Sequence, residues 1–310
     1  MFDVGVLKMK QMSVYAVIVA YNRIESTLRA IDSAIVSYDE LKLVLVDNSG
    51  NDNFFNTLKS KLEARHVGRI LYIRNEQNVG FAKAVNQGIR LSLRKGADYV
   101  LLLNDDAYVD KNCIPSLIYA LSNHEQSLLA GPTIFYEKHK DKVWSAGGYY
   151  NKLLGKISMP LKNKKVDPNI LRQAEVREVG FLTGCVLVIK SKAFGKVGFF
   201  DEDFFFYNED VDYCLRTAKS GFKMLWVPYA FAWHDIDIIH GRTNSFAMYN
   251  IARSSITLGK KNFSTIYYIY YVLLRFLLHT PYRVYQIVVG RKNFNVILSW
   301  FKGIIDGMQA

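Results

Sequence analysis

The chain has 310 residues, half of them hydrophobic, with three cysteines and a formal net charge of +12. That length allows one large domain or a domain with an extension, and six prolines without a long polar tract exclude extensive disorder. The basic balance suits an anionic partner, but it is spread along the chain, with no arginine-rich arm and no RNA-binding signature. Nucleic acid is therefore not the expected partner, which leaves a phosphorylated ligand or an acidic membrane surface.

In chain order, the apolar stretch VYAVIVA is seven residues long and lacks a small-residue cleavage site, so it reads as a first strand and not as a signal peptide. Further apolar runs follow at 43–46, 70–73 and 99–103. Their ends recur at roughly the length of one strand-plus-crossover unit. Between them, residues 25–37, 53–65 and 81–95 are amphipathic stretches of helical length. Continuous apolar strands alternating with helices predict βαβ units and a parallel sheet covered on both faces. Such sheets bind ligands beyond the carboxyl ends of their strands. All four exits are polar: Tyr21-Asn22-Arg23, Asp47-Asn48-Ser49-Gly50, Asn75 to Gly80, and Asn104-Asp105-Asp106.

From about residue 110 the pattern is mixed. Residues 114–122 and 209–220 read as helices, and 144–148 as a strand and turn. Residues 181–189 read as a buried strand and 223–228 as a short one. Residues 152–178 carry seven lysines and arginines with few apolar runs, which predicts a mobile loop. Cys113, Cys185 and Cys214 form no CxxC pair, so neither a disulfide framework nor structural zinc is expected, and a reducing compartment is the simplest reading. Residues 262–274 run 13 positions without a charge before Arg275 interrupts. A spanning helix needs about 20 apolar residues, and a central Arg costs about 2.5–3.5 kcal/mol on insertion scales. Aromatic residues with Arg275, Arg283, Arg291 and Lys292 at the edges suit a helix lying in a membrane interface. The alternative is a helical pair packed on the domain or on a second copy in a homo-oligomer.

Two adjacent carboxylates at the end of a buried strand need a counter-charge or water. Asn104-Asp105-Asp106 suits a hard divalent cation with oxygen ligands, although Asn-Asp-Asp is also an ordinary turn sequence. Glu209, Asp210 and Asp212 stand near a helix start, where acidic residues are common as dipole partners. Histidines such as His234 and His240 more often serve the core or surface than a ligand site. Trp144, Trp226 and Trp233 read as core, and Cys185 lacks a paired histidine that would make it a nucleophile.

The segments VYAVIVAYNR, LVLVDNSG, NEQNVGFAKAVNQGI, YVLLLNDDA, FLTGCVLVIKSKAFGKVGFFDEDFFFYNEDVDYCLR and VPYAFAWHD occur in this order. Together they resemble the inverting GT-A glycosyltransferases of family 2, in the rhamnosyltransferase-like and galactofuranosyltransferase-like branch, over residues 12–256. KGIIDG near the end matches only loosely. The resemblance implies an α/β GT-A fold, Rossmann-like, with a mostly parallel sheet and helices on both faces. It divides the chain into a catalytic domain at 1–256 and a C-terminal helical, membrane-associating extension at 257–310.

The resemblance also assigns roles. Ala20, Tyr21, Asn22, Asp47 and Asn48 would hold the nucleotide base, with Asp47 accepting from the N3–H of uracil or thymine. Gly80 and Ala84 would leave room for the nucleoside. Asp106 would bind Mn²⁺ or Mg²⁺ together with His234, with Asp105 near the ribose or metal, and Asn104 takes the place of an Asp found in many relatives. Asp210 would be the catalytic base. Gly184 would lie beside the donor sugar, while Glu209, Asp212 and Arg216 would face donor sugar or acceptor, Arg216 either facing the acceptor's phosphate or steadying an acidic neighbour. The implied reaction moves a sugar, rhamnose first, from a dTDP- or UDP-linked donor to a lipid-linked or polysaccharide acceptor. The implied location is cytoplasmic, peripheral to the inner face of the cell membrane. A nucleotidyltransferase would also use such a sheet, but Tyr21-Asn22-Arg23-Ile24-Glu25 replaces the Gly-rich basic loop it would need. A non-catalytic sugar-nucleotide binder would not need Asp106, Asp210 and His234 together.

Overall fold

The computed structural model describes residues 12–236, 244–290 and 293–309. The first hundred positions fold as the hydrophobic period dictates: β1 (Val14–Ala20), α1 (Ile24–Ser37), β2 (Lys42–Asp47), α2 (Asp52–Glu63), β3 (Ile70–Arg74), α3 (Phe81–Arg94) and β4 (Tyr99–Leu103). These four strands are parallel, in the order β3-β2-β1-β4. Successive strand side chains point to opposite faces. Ala16 and Ile18 of β1 accordingly join Leu28, Ile31 and Ala34 of α1 in one core, while Tyr15 and Val17 join Ala82, Val85 and Ile89 of α3 in another.

Next come β5 (Ala107–Val109), α4 (Cys113–Ser122), β6 (Ser127–Tyr136), β7 (His139–Ser145), β8 (Tyr149–Asn151), β9 (Lys156–Ser158), α5 (Pro168–Arg172), β10 (Arg177–Val179), β11 (Val186–Lys190), α6 (Lys192–Lys196), α7 (Glu209–Lys219) and β12 (Lys223–His234). The full sheet has ten strands in the order β10-β12-β6-β11-β4-β1-β2-β3, with β5 on β12 and β7 on β6. Antiparallel β11 joins the parallel half to the parallel pair β6 and β12. All three cysteines are buried and free.

Two sequence expectations are corrected here. Residues 152–178 are not one continuous loop but contain β9, α5 and the start of β10. β8 and β9 make a hairpin, and its turn is clamped from outside: Tyr267 Oη donates to the Lys152 carbonyl, Tyr270 Oη to that of Leu153 at 2.6 Å, and Arg275 Nη2 to that of Gly155 at 2.9 Å. The strand expected to end at Pro228 continues to His234, because a register irregularity between Val227 and Phe231 absorbs the proline.

The C-terminal part contains α8 (Ser245–Asn262), α9 (Thr265–Leu274), a π-helical turn (Arg275–His279), α10 (Thr280–Val289) and α11 (Phe294–Gln309). The boundary expected between residues 256 and 257 falls inside α8. This helix also carries Met248, Ala252 and Ile256 of a separate core with Ile287, Val296, Trp300 and Ile304. α11 crosses α8 so closely that a side chain at Gly303 or Gly307 would collide with the backbone carbonyls of Tyr249 and Arg253. Among the described residues no helix is long and apolar enough to cross a membrane. His240, Arg291 and Lys292 lie outside the described residues.

Candidate active site

β1 and β4 are neighbours, but β1 leads on to β2 on one side while β4 is reached by a crossover to the other. At such a reversal the loops part and leave a crevice beyond the strand ends. Tyr21, just past β1, donates its backbone N–H to Asp105 Oδ2 at 3.0 Å, and Asn22 takes a left-handed φ of 56°. Beside them Arg23 Nη1 donates to Asp106 Oδ2 at 2.7 Å. From the far end of the sheet, β12 brings His234 opposite Ala107 of β5, with its Nε2 3.0 Å from Asp106 Oδ1. The Trp144 ring packs edge-on against that imidazole at 4.4 Å between centroids.

The two aspartates are driven apart electrostatically. Burial, then the charge of Asp106, pushes Asp105 up to about 7, against the Tyr21 N–H and Arg23. Burial would raise Asp106 as well, but the hydrogen bonds and charges of His234 and Arg23 hold it below the usual carboxylate range. An acidic pair under such strain attracts cations. Among the described residues no group of three or more His, Cys, Asp or Glu side chains forms a metal site. Asp106 and His234 therefore fit a divalent ion only as a partial set of ligands, completed by oxygens of a bound substrate.

Asp210 sits in the first turn of α7, after Tyr207 and Asn208 with left-handed φ of 70° and 65°. Conformations of this kind cost about 1–3 kcal/mol each and persist where the surroundings enforce them. Here Asn208 Nδ2 is held by Ser254 Oγ of α8 at 2.8 Å. The Asp210 carboxylate is oriented by two backbone donors, Val211 N–H at 2.8 Å and Gly184 N–H at 3.2 Å. Asn104, Asp106, Gly184, Glu209, Asp210 and His234 line one cleft of about 770 Å³. Burial and then the charges of Asp106, Asp210 and Asp105 push the Cys185 thiol well up, which makes it a poor nucleophile.

The expected nucleotide residues sit at the neighbouring strand ends. Asp47 is fully buried; its Oδ1 accepts from the Ser49 N–H and hydroxyl at 2.9 and 2.6 Å, while among the described residues Oδ2 accepts no hydrogen bond and has Arg74 Nε 3.9 Å away. Ala20 is buried and its carbonyl accepts the Asn48 N–H at 3.0 Å. Asn48 is itself consumed in shaping the loop before α3: its Oδ1 accepts from Asn75 Nδ2 and Val79 N–H, both at 3.1 Å, and its Nδ2 donates to Asn78 Oδ1 at 3.0 Å.

Gly80, Ala84 and Asp212 make contacts within the protein, and Arg216 stands beside an acidic neighbour. A Cβ on Gly80, where φ is +87°, would meet the Phe205 carbonyl at 2.8 Å, so the missing side chain accommodates the segment before Asp210. Ala84 is wholly buried in the core against the sheet. Asp212 points away from the cleft: it is 1% exposed and accepts from Arg216 Nε and Asn262 Nδ2, each at 2.7 Å. Arg216 spends its other nitrogens on the Val197 and Phe199 carbonyls at 2.8 and 2.9 Å, so both residues brace α7. Sequence reasoning passed over Arg23, Trp144, Lys156 and Lys162 as lining residues, and read Arg275 and Arg283 only as helix-edge charges. Spacing carries no signal for them, because they reach the cleft from separate elements.

The architecture is that of the GT-A transferases. A crystal structure of GalNAc-T7 with UDP, GalNAc and Mn²⁺ matches with a TM-score of 0.59 at 18% identity, over 78% of this chain and 47% of that one. S. aureus TarS 1–349 matches at 0.56 and 12% identity, over 96% and 80%. The model of glycosyl transferase family 2 matches residues 15–198, and the chain belongs to that family of transferases. Among curated relatives, the dTDP-rhamnosyl transferase RfbF of Shigella flexneri is 30% identical over 74% of this chain and 69% of its own length. The N-acetylglucosaminyl-diphospho-decaprenol L-rhamnosyltransferase of Mycobacterium tuberculosis is 26% identical over 63% and 66%. The rhamnosyltransferase WbbL of Escherichia coli K12 is 22% identical over 75% and 86%.

Proposed function

We propose that this chain transfers a hexose, rhamnose in the first instance, from a dTDP- or UDP-linked donor to a hydroxyl of a lipid-linked or polysaccharide acceptor, with inversion at the anomeric carbon. The observation that carries the reading is a single cleft lined by the acidic Asp106, its partner His234 and the separately positioned Asp210. Asp47 Oδ2, which accepts no hydrogen bond among the described residues and has Arg74 Nε 3.9 Å away, supports a donor base with an imide N–H, as thymine and uracil have. Rhamnose is favoured because the relatives above are named for it.

In this reading Asp106 and His234 would hold Mn²⁺ or Mg²⁺, which would supply positive charge to stabilise the leaving group. Arg23 adds a fixed positive charge on the same side. Asp210 takes the proton of the acceptor hydroxyl as it attacks, a contribution of about 10²–10⁴-fold. Phe206 and Tyr207 line the cleft next to Asp210 and exclude water, which protects the oxocarbenium-like sugar from hydrolysis. Peripheral membrane attachment is supported by exposed Ile266, Leu277, Tyr285 and Phe294 along the C-terminal helices of a basic chain.

The test is incubation with nucleotide sugars, Mn²⁺ and a polyprenyl-diphosphate-linked saccharide. Release of nucleoside diphosphate coupled to acceptor elongation is expected. Release of pyrophosphate would instead mark a nucleotidyltransferase, and no turnover with any donor would overturn the reading.

A further inference from the structure

α7 is entered in an unusual way. A helix normally starts from extended backbone, and an Asn at the N-cap turns its side chain onto the first unpaired N–H groups. Asn208 does neither. Its φ of 65° follows that of Tyr207 at 70°, both left-handed, and its side chain caps no helical N–H. The amide is used outside the helix instead, with Nδ2 donating to Ser254 Oγ of α8 at 2.8 Å. The Asn208 carbonyl still accepts from Asp212 N–H at 2.9 Å, so the direction of the first turn of α7 follows from the conformation of this residue. Asp210 lies in that turn, its Oδ2 3.2 Å from Gly184 N–H.

α8 grips the whole segment around this turn. Arg253, Ser254, Lys261 and Asn262 stand on one side of the helix, two turns apart. Arg253 Nη1 donates to the Asp203 carbonyl at 2.8 Å. Lys261 Nζ donates to Asp201 Oδ2 at 2.6 Å and to Asp203 Oδ2. Asn262 Nδ2 donates to Asp212 Oδ1 at 2.7 Å, and Leu258 between them joins the core that holds Val211 and Cys214. The opposite side carries Met248, Ala252 and Ile256 into the core shared with α11. Asp210 is thus bracketed from α8, at Asp201 and Asp203 before it and at Asp212 after it, with Ser254 in the middle. Ser254 is buried and is not among the residues that line the cleft. Ser255 Oγ stands 3.5 Å from the same Asn208 amide, the far limit of a hydrogen bond, and is a poor substitute.

We propose that Asn208 and Ser254 are positioning residues for the transfer step, their hydrogen bond holding the left-handed turn that aims Asp210 into the cleft. Asn accepts a positive φ more readily than most residues, but the Tyr207 before it does not, and two such residues in succession need an external hold. Without that hold the turn relaxes toward extended backbone and draws the Asp210 carboxylate away from Gly184. A misplacement of about 1 Å at a reacting group costs up to about 10²-fold in rate, even when the altered residue lies far from the chemistry. The proposal rests on the transferase reading, in that Asp210 is taken as the base. It also makes α8, which lies beyond the residues 15–198 matched by the family model, part of the catalytic unit, and α11 its support from behind.

The test is steady-state kinetics of nucleoside diphosphate release for Ser254→Ala, Asn208→Ala and Asn208→Gly, with melting temperatures and crystal structures of the same proteins. Ala favours a helix more than Ser does, so Ser254→Ala keeps α8 and removes only the acceptor of the hydrogen bond. It is expected to lower kcat about tenfold or more, with the donor KM within about twofold of the wild type and the melting temperature little changed. Asn208→Ala loses both the hydrogen bond and the tolerance of positive φ, and kcat should fall about 10²-fold. Asn208→Gly adopts the turn freely and should recover part of that loss. In the crystal structures of both Ala variants the Asp210 carboxylate should lie beyond hydrogen-bond reach of Gly184 N–H. A wild-type kcat in Ser254→Ala would overturn the proposal: with Asn208→Ala also active the turn needs no hold, and with loss confined to Asn208 that residue touches substrate itself. A lowered melting temperature with unchanged kcat would reduce the pair to a structural brace, and an Asp210 still at Gly184 in both structures would equally overturn the proposal. If the wild type releases no nucleoside diphosphate from any donor while Asp210 moves in the variants, the transferase reading fails and the positioning of Asp210 stands.

Discussion

Asp212 and Asp210 lie two residues apart on one helical turn, and the structure gives them opposite duties. Replacing Asp212 with Ala removes the acceptor for Arg216 Nε and Asn262 Nδ2, each now at 2.7 Å. The Asp212 side chain is 2% exposed and that of Arg216 26%. Breaking one partner out of a buried ion pair costs about 3–5 kcal/mol, and the part-exposure of Arg216 points to the lower figure. The orphaned Asn262 amide adds about 1 kcal/mol. At about 2 °C per kcal/mol for a chain of this size, the melting temperature should drop by about 6–8 °C. Transfer measured well below the transition should fall by less than about tenfold, since the Asp210 carboxylate keeps both its N–H donors. Thermal unfolding followed by circular dichroism, with nucleoside diphosphate release on the same samples, decides the matter. A variant that melts like the wild type but has lost transfer would show that Asp212 serves the acceptor and that its bracing role is wrong.

Asp210→Asn should keep the wild-type melting temperature and donor affinity while kcat falls by about 10²–10⁴-fold; retained turnover would remove the base assignment. Asp106→Ala should abolish the Mn²⁺-dependent increment in nucleotide-sugar affinity seen by calorimetry, and identical isotherms with and without Mn²⁺ in the wild type would remove the metal assignment. His279 has a native pKa near 4 against 6.5 when unfolded, so between those values only the unfolded chain takes up the proton. Its contribution is nil above pH 6.5, and stability is lost as pH falls toward 4, on the order of 1 kcal/mol once discounted for half-exposure. His279→Gln should therefore flatten the urea-unfolding stability profile between pH 6.5 and 4, and an unchanged slope would contradict the burial and cationic surroundings that depress it. Vesicles rich in anionic lipid should carry the protein in flotation, less so at high salt, and Leu277→Glu with Phe294→Glu should release it.

The elements that could be read along the chain are those whose information is local. An apolar run such as Val14–Ala20 is buried on both faces wherever it is placed, and the helices after β1, β2 and β3 follow from amphipathic period within a residue or two. The clamped hairpin at 149–158 was not legible. Its turn is held by Tyr267, Tyr270 and Arg275, more than a hundred residues downstream. The continuation of β12 past Pro228 was equally hidden, because a proline ends a strand unless a neighbour such as β6 absorbs the irregularity.

The same division runs through the site. Sequence by itself determined the polar strand exits, the acidic Asn104-Asp105-Asp106 and, through resemblance, the family, because side-chain chemistry and motif order are properties of the chain. Only the tertiary structure decided which acids share a space. It turned Asp210 toward the cleft and Asp212 into the fold, brought His234 across 128 positions to Asp106, and set Arg275 beside the hairpin. The physical reason is that a charge acts over a few ångströms of space, and the separation of two charges is fixed by packing and not by their order along the chain.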